Sequence, residues 1–174
     1  DILYPFNKRQ LIMQTAYLAG GCFWCVEAIF QRVNGVKELE NGYCNGATQN
    51  PSYEAICSGQ TGHAEDLKVD FDESEFSYES PLEVFFETHN PMTLNQQGAD
   101  KGTQYRSAIF YTNDSHKEIA TSVIGNIKGA VTEITELDVF YPAEAYHQDY
   151  FNNNANQPYC QMVILPKINK DYKQ

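Results

Sequence analysis

Basic residues are scarce in this sequence: 12 Lys and Arg stand against 23 Asp and Glu among 174 residues, a net charge of −11 at pH 7. Because phosphate groups are bound by concentrated Lys and Arg, this deficit argues against nucleic acid and anionic membranes as partners. Long apolar runs are also lacking, since none approaches the roughly 20 residues of a membrane-spanning helix. We expect a cytoplasmic location, with export left open because the chain starts at Asp1 instead of Met.

Recognisable metal and cofactor motifs are missing too. Five cysteines occur, at positions 22, 25, 44, 57 and 160. A zinc site would need a second C-x-x-C or an H-x₃₋₅-H beside the Cys22–Cys25 pair, and the sequence has neither. No nucleotide or flavin motif is present, so we predict no cofactor. In a chain long enough to bury its own core, cysteines indicate chemistry more often than a disulfide framework.

The hydrophobic pattern predicts one α+β domain over residues 1–174. Strands and helices follow in the order β-α-β-β-α-β, then α-β-α and a tail, which favours a two-layer sandwich with a mixed sheet and a ferredoxin-like core. Residues 1–12 form an N-terminal arm, and residues 152–174 an irregular C-terminal tail that carries Cys160. Ser80 is the predicted N-cap of one helix, and Asp114 or Ser115 that of another.

Further bounds follow from the turn residues and the apolar spacing. These are a loop from Asn45 to about Gly62, one strand over Ile134–Phe140 and a short helix over Pro142–Phe151.

The first chemical candidate is the stretch GGCFWC at 20–25, where a strand meets two glycines and Cys22 opens a helix. The unpaired N–H groups and the dipole at a helix start stabilise a thiolate, which is the reactive form of cysteine. Phe23 and Trp24 would form an apolar wall beside that thiolate. Cys22 and Cys25 also form a C-x-x-C, which is typical of thiol–disulfide exchange.

Three further segments carry candidate residues. His63-x-Glu65 is the pattern of zinc deaminases, but the downstream Pro-Cys-x-x-Cys that those enzymes need is absent. Residues 97–107 (QGADKGTQYRS) are rich in hydrogen-bonding side chains and are typical of a loop that lines a site. Cys160, after an asparagine-rich stretch, can reach a distant site if its segment is mobile. We assign Cys44 and Cys57 to packing.

Together these segments resemble the MsrA family, the peptide methionine sulfoxide reductases that act on the S epimer. The matching stretches are GCFWCVEAIF at 21–30, NPSYEAICSGQTGHAE at 50–65, HNPMTLNQQGADKGTQYRSAIFY at 89–111, FYPAEAYHQDYF at 140–151 and PYC at 158–160. The resemblance runs from about residue 15 to 165 without large gaps.

The resemblance implies a role for each matching residue. Cys22 is the nucleophile, Glu65 protonates the sulfoxide oxygen, and Cys160 is the recycling cysteine. The remaining site residues bind the substrate: Phe23 and Trp24 receive the S-methyl group, Tyr53 and Tyr105 hydrogen-bond the oxygen, and Asp100 is a polar group of the same site. The implied partners are methionine sulfoxide, free or in oxidised proteins, and thioredoxin as reductant. We expect a monomer.

Position 25 departs from the family pattern, in which glycine is more common. Either Cys25 or Cys160 could therefore resolve a sulfenic acid on Cys22, and we favour Cys160. Two other functions stay open. One is a thiol–disulfide oxidoreductase that uses Cys22 and Cys25 directly, and the other is a non-catalytic zinc-binding or peptide-binding module.

Overall fold

A computed structural model describes residues 12–172, so most of the predicted N-terminal arm lies outside the described part of the chain. The strands are β1 (Met13–Gly20), β2 (Val36–Cys44), β3 (Ala64–Asp72), β4 (Gln96–Gln97), β5 (Asp100–Lys101), β6 (Ser107–Tyr111), β7 (Glu133–Glu136) and β8 (Phe140–Pro142). The α-helices are α1 (Phe23–Phe30), α2 (Tyr53–Cys57), α3 (Glu79–Thr88), α4 (Asp114–Gly125), α5 (Tyr150–Asn153) and α6 (Leu165–Tyr172). Single 3₁₀ turns span Thr103–Tyr105 and Ala145–His147, and a π-helical turn spans Cys160–Ile164.

The main sheet has six strands in the order β7-β6-β1-β3-β2-β8. Its four central strands pair antiparallel, while β7 runs parallel to β6 after the crossover through α4. The central order β6-β1-β3-β2, with α1 and α3 in the two crossovers, is the ferredoxin-like arrangement. The predicted α+β fold with a mixed sheet is therefore confirmed.

Helix α1 is buried almost all round, because every residue except Trp24 is inaccessible to solvent. Its sequence, FWCVEAIF, is apolar except for Glu27, as expected of a helix enclosed on nearly every side. Val26 and Phe30 join the core between sheet and helices, whereas Cys25 and Ala28 face the C-terminal segment. The main core lies between one face of the sheet and helices α1, α3 and α4, and its buried members include Leu18, Leu67, Val69, Phe71, Leu82, Phe85 and Ile109.

Two predicted helix starts are wrong by one or two residues. Helix α4 is capped by Asn113, whose side chain accepts the His116 N–H at 2.8 Å, and Asp114 is already its first helical residue. Asn, like Asp and Ser, is among the best N-cap residues, so the prediction named a suitable kind of capping residue but placed it one or two positions too late. Helix α3 starts at Glu79, with Tyr78 before it, so Ser80 is not the N-cap.

Three connecting segments differ from the predicted bounds. The Asn45–Gly62 loop contains α2, which Ser52 caps by accepting the Ala55 N–H at 3.1 Å. The predicted strand Ile134–Phe140 is two strands, because the chain leaves β6 at one sheet edge and joins β2 at the other. The predicted helix Pro142–Phe151 is a 3₁₀ turn followed by the four-residue helix α5.

The C-terminal tail is helical from Cys160 to Tyr172, and not irregular as predicted. Cys160, Ile164 and Ile168 recur every four residues and bury one face against α1, which is the spacing of an amphipathic helix. The asparagine-rich stretch before them masked this pattern. Among residues 12–172, no helix is both long enough and apolar enough to span a bilayer.

Candidate active site

The turn between β1 and α1 presents Cys22 at the start of a helix. Gly21 has φ +85°, a left-handed conformation that favours glycine, and a Cβ there would lie 2.7 Å from the Gln97 side chain. Cys22 takes the N-cap position, and its carbonyl accepts the Cys25 N–H at 3.1 Å. Cys22 is 8% exposed, so its thiol is enclosed but reachable.

Glu65 lies directly beside this turn. Its Oε1 accepts the Phe23 N–H at 3.1 Å, which places the carboxyl next to the residue that follows Cys22. Glu65 stands on β3 opposite Tyr43 of β2 and is only 2% exposed. Burial raises the pKa of Glu65 to about 8, and the Phe23 N–H offsets only part of that rise. The carboxyl is therefore mostly protonated at neutral pH and can donate a proton.

Cys22 and Cys25 form a hydrogen-bonded thiol pair. The hydrogen bond with Cys22 lowers the pKa of Cys25 to about 7, while burial holds the pKa of Cys22 well above its ordinary value. The pair thus loses its first proton near neutral pH and resists losing the second. The Tyr159 hydroxyl lies 3.6 Å from Cys25 Sγ and donates to Asp100 Oδ2 at 3.0 Å, which links Asp100 to the thiols.

The aromatic wall beside Cys22 is built from three segments of the chain. Trp24 stacks face to face on Tyr150, with centroids 3.8 Å apart and an angle of 9°. Its indole Nε1–H donates to His147 Nδ1 at 3.1 Å. Glu27, buried in α1, anchors this arrangement by accepting the backbone N–H of Asp149 at 2.9 Å and that of Tyr150 at 3.1 Å.

Tyr53 and Tyr105 complete the polar side of the site. Burial, and also the charge of Glu65 when it is ionised, raise the pKa of both phenols, so both remain protonated hydrogen-bond donors. Tyr53 stands at the start of α2, where its N–H donates to Glu144 Oε2 at 2.9 Å. Tyr105 ends the 3₁₀ turn that follows β5 and packs against the cluster that contains Cys22.

The structure brings the sequence-predicted site residues into one region. Cys22, Cys25 and Cys160 share one apolar cluster, in which Cys160 is fully buried. Cys160 therefore lies in the same cluster as the other two thiols and does not have to move far to approach them. Cys44 is buried as predicted, but Cys57 is exposed and hydrogen-bonds the Tyr53 side chain, so the packing assignment of Cys57 is wrong.

Sequence reasoning assigned no role to four residues that contact this site: Glu144, His147, Tyr150 and Tyr159. Three of them belong to the aromatic-rich stretch 140–151, and that richness was the available signal. A cavity of about 530 Å³ opens next to Asp100 and Tyr159, with Lys167 on its wall, but neither Cys22 nor Glu65 lines it. Among residues 12–172, no group of three His, Cys, Asp or Glu side chains is placed to hold a metal ion.

A thiol at a helix start, facing a protonated carboxyl and two phenols, defines a thiol-dependent oxidoreductase. The family described as peptide methionine sulfoxide reductase matches residues 14–174. A peptide methionine sulfoxide reductase MsrA from Ruthia magnifica is 61% identical over 163 residues, covering 93% of this chain and all of that protein. The chain belongs to the peptide methionine sulfoxide reductase family, whose members named MsrA are oxidoreductases.

Solved structures agree with this assignment. Reduced Mxr1 from Saccharomyces cerevisiae is 32% identical with a TM-score of 0.78, covering 85% of this chain and 89% of Mxr1. Methionine sulfoxide reductase A of Corynebacterium diphtheriae is 30% identical with a TM-score of 0.75, covering 82% of this chain and 76% of that one. Family and fold thus agree on an enzyme that reduces methionine sulfoxide.

Proposed function

We propose that this enzyme reduces methionine-S-sulfoxide, free or in proteins, by attack of the Cys22 thiolate on sulfur while Glu65 protonates the sulfoxide oxygen. The observation that carries the proposal is the hydrogen bond from Phe23 N–H to Glu65. This bond holds the uncharged Glu65 carboxyl beside Phe23, the residue that follows the Cys22 nucleophile at the start of α1. Phe23 and Trp24 then enclose the S-methyl group of the substrate.

The proton donor is needed because a sulfoxide is a poor electrophile until its oxygen gains a proton. A pKa of about 8 keeps Glu65 protonated at neutral pH and close enough to the working pH to give its proton up. Tyr53 and Tyr105 donate hydrogen bonds to the same oxygen and stabilise the charge that develops as the S–O bond polarises. Asp100 acts through Tyr159, whose hydroxyl also contacts Cys25.

The Cys22 thiolate arises from the single negative charge that the Cys22–Cys25 pair carries after losing one proton. When Cys22 attacks, its proton passes to Cys25 and its Sγ bonds to the sulfoxide sulfur. The oxygen, protonated by Glu65, then leaves that sulfur and bonds to Cys22 Sγ, the bond between the two sulfur atoms breaks, and the substrate is released as methionine. Cys22 becomes a sulfenic acid, the first reversible step of thiol oxidation. A second thiol then condenses with this sulfenic acid, which releases water and forms a disulfide. An external dithiol, for which we propose thioredoxin, reduces that disulfide.

We propose Cys160 as the resolving cysteine, with Cys25 as the alternative. Cys160 already belongs to the apolar cluster around Cys22, and the helical segment that it begins packs against α1. Thioredoxin-coupled turnover of Cys160→Ser and Cys25→Ser separates the two. Stalled recycling in Cys160→Ser alone is expected, whereas normal recycling in Cys160→Ser with a stalled Cys25→Ser would reverse the assignment.

The Cys22–Cys25 pair also supports a second function, direct thiol–disulfide exchange on protein disulfides. A hydrogen-bonded C-x-x-C whose first proton leaves near pH 7 is suited to that reaction. This reaction needs no proton for a sulfoxide oxygen, so it does not require Glu65.

The discriminating experiment is anaerobic single turnover with the two epimers of methionine sulfoxide, with thiols counted before and after. Wild type should lose two thiols for each methionine formed, with the S epimer only. Glu65→Gln should slow this step by about 10² to 10⁴-fold, the usual contribution of a general acid. The control is Glu54→Gln, because Glu54 is an exposed carboxyl on neighbouring α2. Full sulfoxide-reducing activity in Glu65→Gln would contradict the role of Glu65, and a wild type that forms no methionine from either epimer would favour thiol–disulfide exchange.

A further inference from the structure

Tyr159 lies between the thiol pair and a carboxylate. Its hydroxyl oxygen is 3.6 Å from Cys25 Sγ and 3.0 Å from Asp100 Oδ2. Its half-buried ring stands edge-on to the Trp24 indole, with centroids 5.8 Å apart. Tyr159 therefore contacts the second thiol, an acidic side chain and the aromatic wall at once, and its hydroxyl connects the first two.

The Tyr159 hydroxyl has one proton for these two neighbours. A carboxylate can only accept a hydrogen bond, so the contact with Asp100 uses that proton. A hydrogen bond to a charged acceptor is stronger than a neutral one, and this contact is also the shorter of the two. With its proton held there, the Tyr159 oxygen turns a lone pair towards Cys25 Sγ. It can accept a hydrogen bond from a Cys25 thiol but cannot donate one to a Cys25 thiolate.

The position of one proton decides whether the thiol pair can attack. After the pair loses its first proton, its two sulfur atoms share the proton that remains. The hydrogen bond with Cys22 lowers the pKa of Cys25, so this contact alone leaves the charge on Cys25 and the proton on Cys22. Attack requires the reverse arrangement, with the charge on Cys22. A group that disfavours the Cys25 thiolate therefore promotes the reaction.

We infer that Tyr159, with its own proton held by Asp100, is a positioning residue that favours transfer of the remaining proton from Cys22 to Cys25. It offers an acceptor to the Cys25 thiol and withholds a donor from the Cys25 thiolate. Tyr159 acts through Cys25, which stands where the family more often has glycine, so this device depends on the second thiol of this chain. The inference rests on the proposed function, since it assigns the attack to Cys22.

Other ionisable groups also face Cys25. They are Cys22 and Tyr159, Glu65 of β3, Asp100 of β5, Cys160, and Lys167 of α6. The charge of Lys167 lowers the pKa of Cys25, and the charge of Asp100 raises it. Tyr159→Phe leaves all these groups in place and keeps the ring beside Trp24. A comparison of this variant with the wild type therefore isolates the hydroxyl.

The first test measures the thiolate at Cys22 without substrate. The rate of alkylation by iodoacetamide is followed from pH 6 to 9, and modified Cys22 is identified by peptide mass. In the wild type this rate should reach a plateau once the pair has lost its first proton. Tyr159→Phe should lower the plateau by about tenfold, the effect of one hydrogen bond on the position of the proton. Tyr111→Phe is the matched control, because Tyr111 is also half-buried and ends β6 on the side remote from Cys22.

The second test repeats the comparison without the second thiol. Tyr159→Phe is added to Cys25→Ala, and the plateau rate of Cys22 alkylation should then stay unchanged, because the residue through which Tyr159 acts is absent. Single turnover of methionine-S-sulfoxide should follow the same pattern: Tyr159→Phe slows the chemical step when Cys25 is present and has no effect when it is absent. A residue that only supported the fold would slow Cys22 equally in both backgrounds.

An unchanged alkylation plateau in Tyr159→Phe would overturn the inference, as would an equal loss with and without Cys25. If Tyr159→Phe fails to fold by circular dichroism, Asp100→Asn carries the test. The neutral amide holds the phenol proton less strongly, which frees the hydroxyl to donate to a Cys25 thiolate and should also lower the plateau. The alkylation experiment needs no substrate, so its failure is distinguishable from a failure of the proposed reaction, in which the wild type would form no methionine.

Discussion

The Cys22–Cys25 pair and Glu65 ionise at neighbouring pH values, and the proposed reaction depends on both ionisations. Attack needs the thiol pair without one proton, and the pKa of Cys25 is about 7. Protonation of the sulfoxide needs Glu65 with its proton, and the pKa of Glu65 is about 8. The two requirements overlap only in a narrow range, which is the pattern of a matched base and acid.

We therefore predict a bell-shaped dependence of kcat/KM on pH, with a rising limb near pH 7 and a falling limb near pH 8. The measurement is turnover of methionine-S-sulfoxide from pH 5.5 to 9.5, at a saturating concentration of a small dithiol. In Cys25→Ser the rising limb should move to higher pH, because Cys22 then loses its hydrogen-bonded thiol and burial dominates its pKa. Activity that stays flat up to pH 9.5 would contradict the role of Glu65.

Individual residues also show how far sequence reasoning reached. Cys22 could be proposed from its local pattern of strand, glycines and helix start, whereas Glu65 and the two phenols were proposed because their segments resemble the MsrA family. His147 was not, because the residue it binds, Trp24, is 123 positions away and no local pattern records a long-range partner. Cys57 was misassigned, since a cysteine in a short helix gives no indication in sequence of which side faces solvent.

Strand β3 carries two acidic residues in succession, and alternation along the strand sends them to opposite faces of the sheet. Glu65 faces the site, and Asp66 is buried on the other face, where neither carboxyl oxygen has an N–H or O–H donor among the described residues. Its polar neighbours there are the Cys44 thiol and the charge of Arg106. Burial raises the pKa of Asp66 well above its ordinary value and so favours its protonated form.

This element predicts a pH dependence of stability. A carboxyl whose pKa is higher in the folded than in the unfolded state contributes stability at low pH, and the contribution is lost as pH rises through the folded value. Asp66→Asn removes the ionisable group while keeping its shape. We expect it to raise the free energy of unfolding at pH 8 by about 1–3 kcal/mol relative to wild type. Wild-type Asp66 is ionised in the unfolded chain and must take up a proton or bury a charge on folding, at about 1.4 kcal/mol per unit of pKa difference.

Urea unfolding of wild type and Asp66→Asn at pH 5 and pH 8 checks this expectation. The gain should shrink at pH 5, because the difference between the two proteins falls as the pH approaches the pKa of Asp in the unfolded chain. Glu73→Gln is the control, because Glu73 is an exposed carboxyl just after the same strand. A gain of equal size at both pH values would show that Asp66 is not the titrating group.

The elements were predicted unevenly for a physical reason. The sequence predicts strands over 13–19, 36–44 and 65–71 and a helix over 22–32. The observed β1 to β3 and α1 differ from these bounds by two residues at most, because alternation and helical spacing are clear where an element is buried. The C-terminal helix was missed, since the asparagines at 152–154 break the periodicity just before Cys160, Ile164 and Ile168 restore it. Sequence reasoning therefore expected a mobile tail where the structure has a helix packed on α1.

At the scale of the whole molecule, the site is built from an early segment of the sequence and a late one. The turn after β1 supplies Cys22, and the segment that begins at Cys160 closes over the same apolar cluster. Under the proposed mechanism, a dithiol protein must reach a disulfide that forms inside this cluster, so we expect the C-terminal segment to open locally during recycling. Such openings draw on the least stable elements of a fold, and this terminal helix makes its main packing contacts with other helices.

This architecture leaves one thiol of five open to a bulky reagent. All five cysteines are free; Cys22, Cys25, Cys44 and Cys160 are buried, and only Cys57 is exposed. A disulfide-exchange reagent such as dithionitrobenzoate should therefore modify one thiol rapidly and the others at the rate at which the fold opens. Cys57→Ser should remove the rapid phase and leave the slow phases unchanged.

After one anaerobic turnover with methionine-S-sulfoxide, the slow phases should lose two thiols while the rapid thiol remains. A rapid phase of two or more thiols in the wild type would show that the cluster around Cys22 is open without movement of the C-terminal segment.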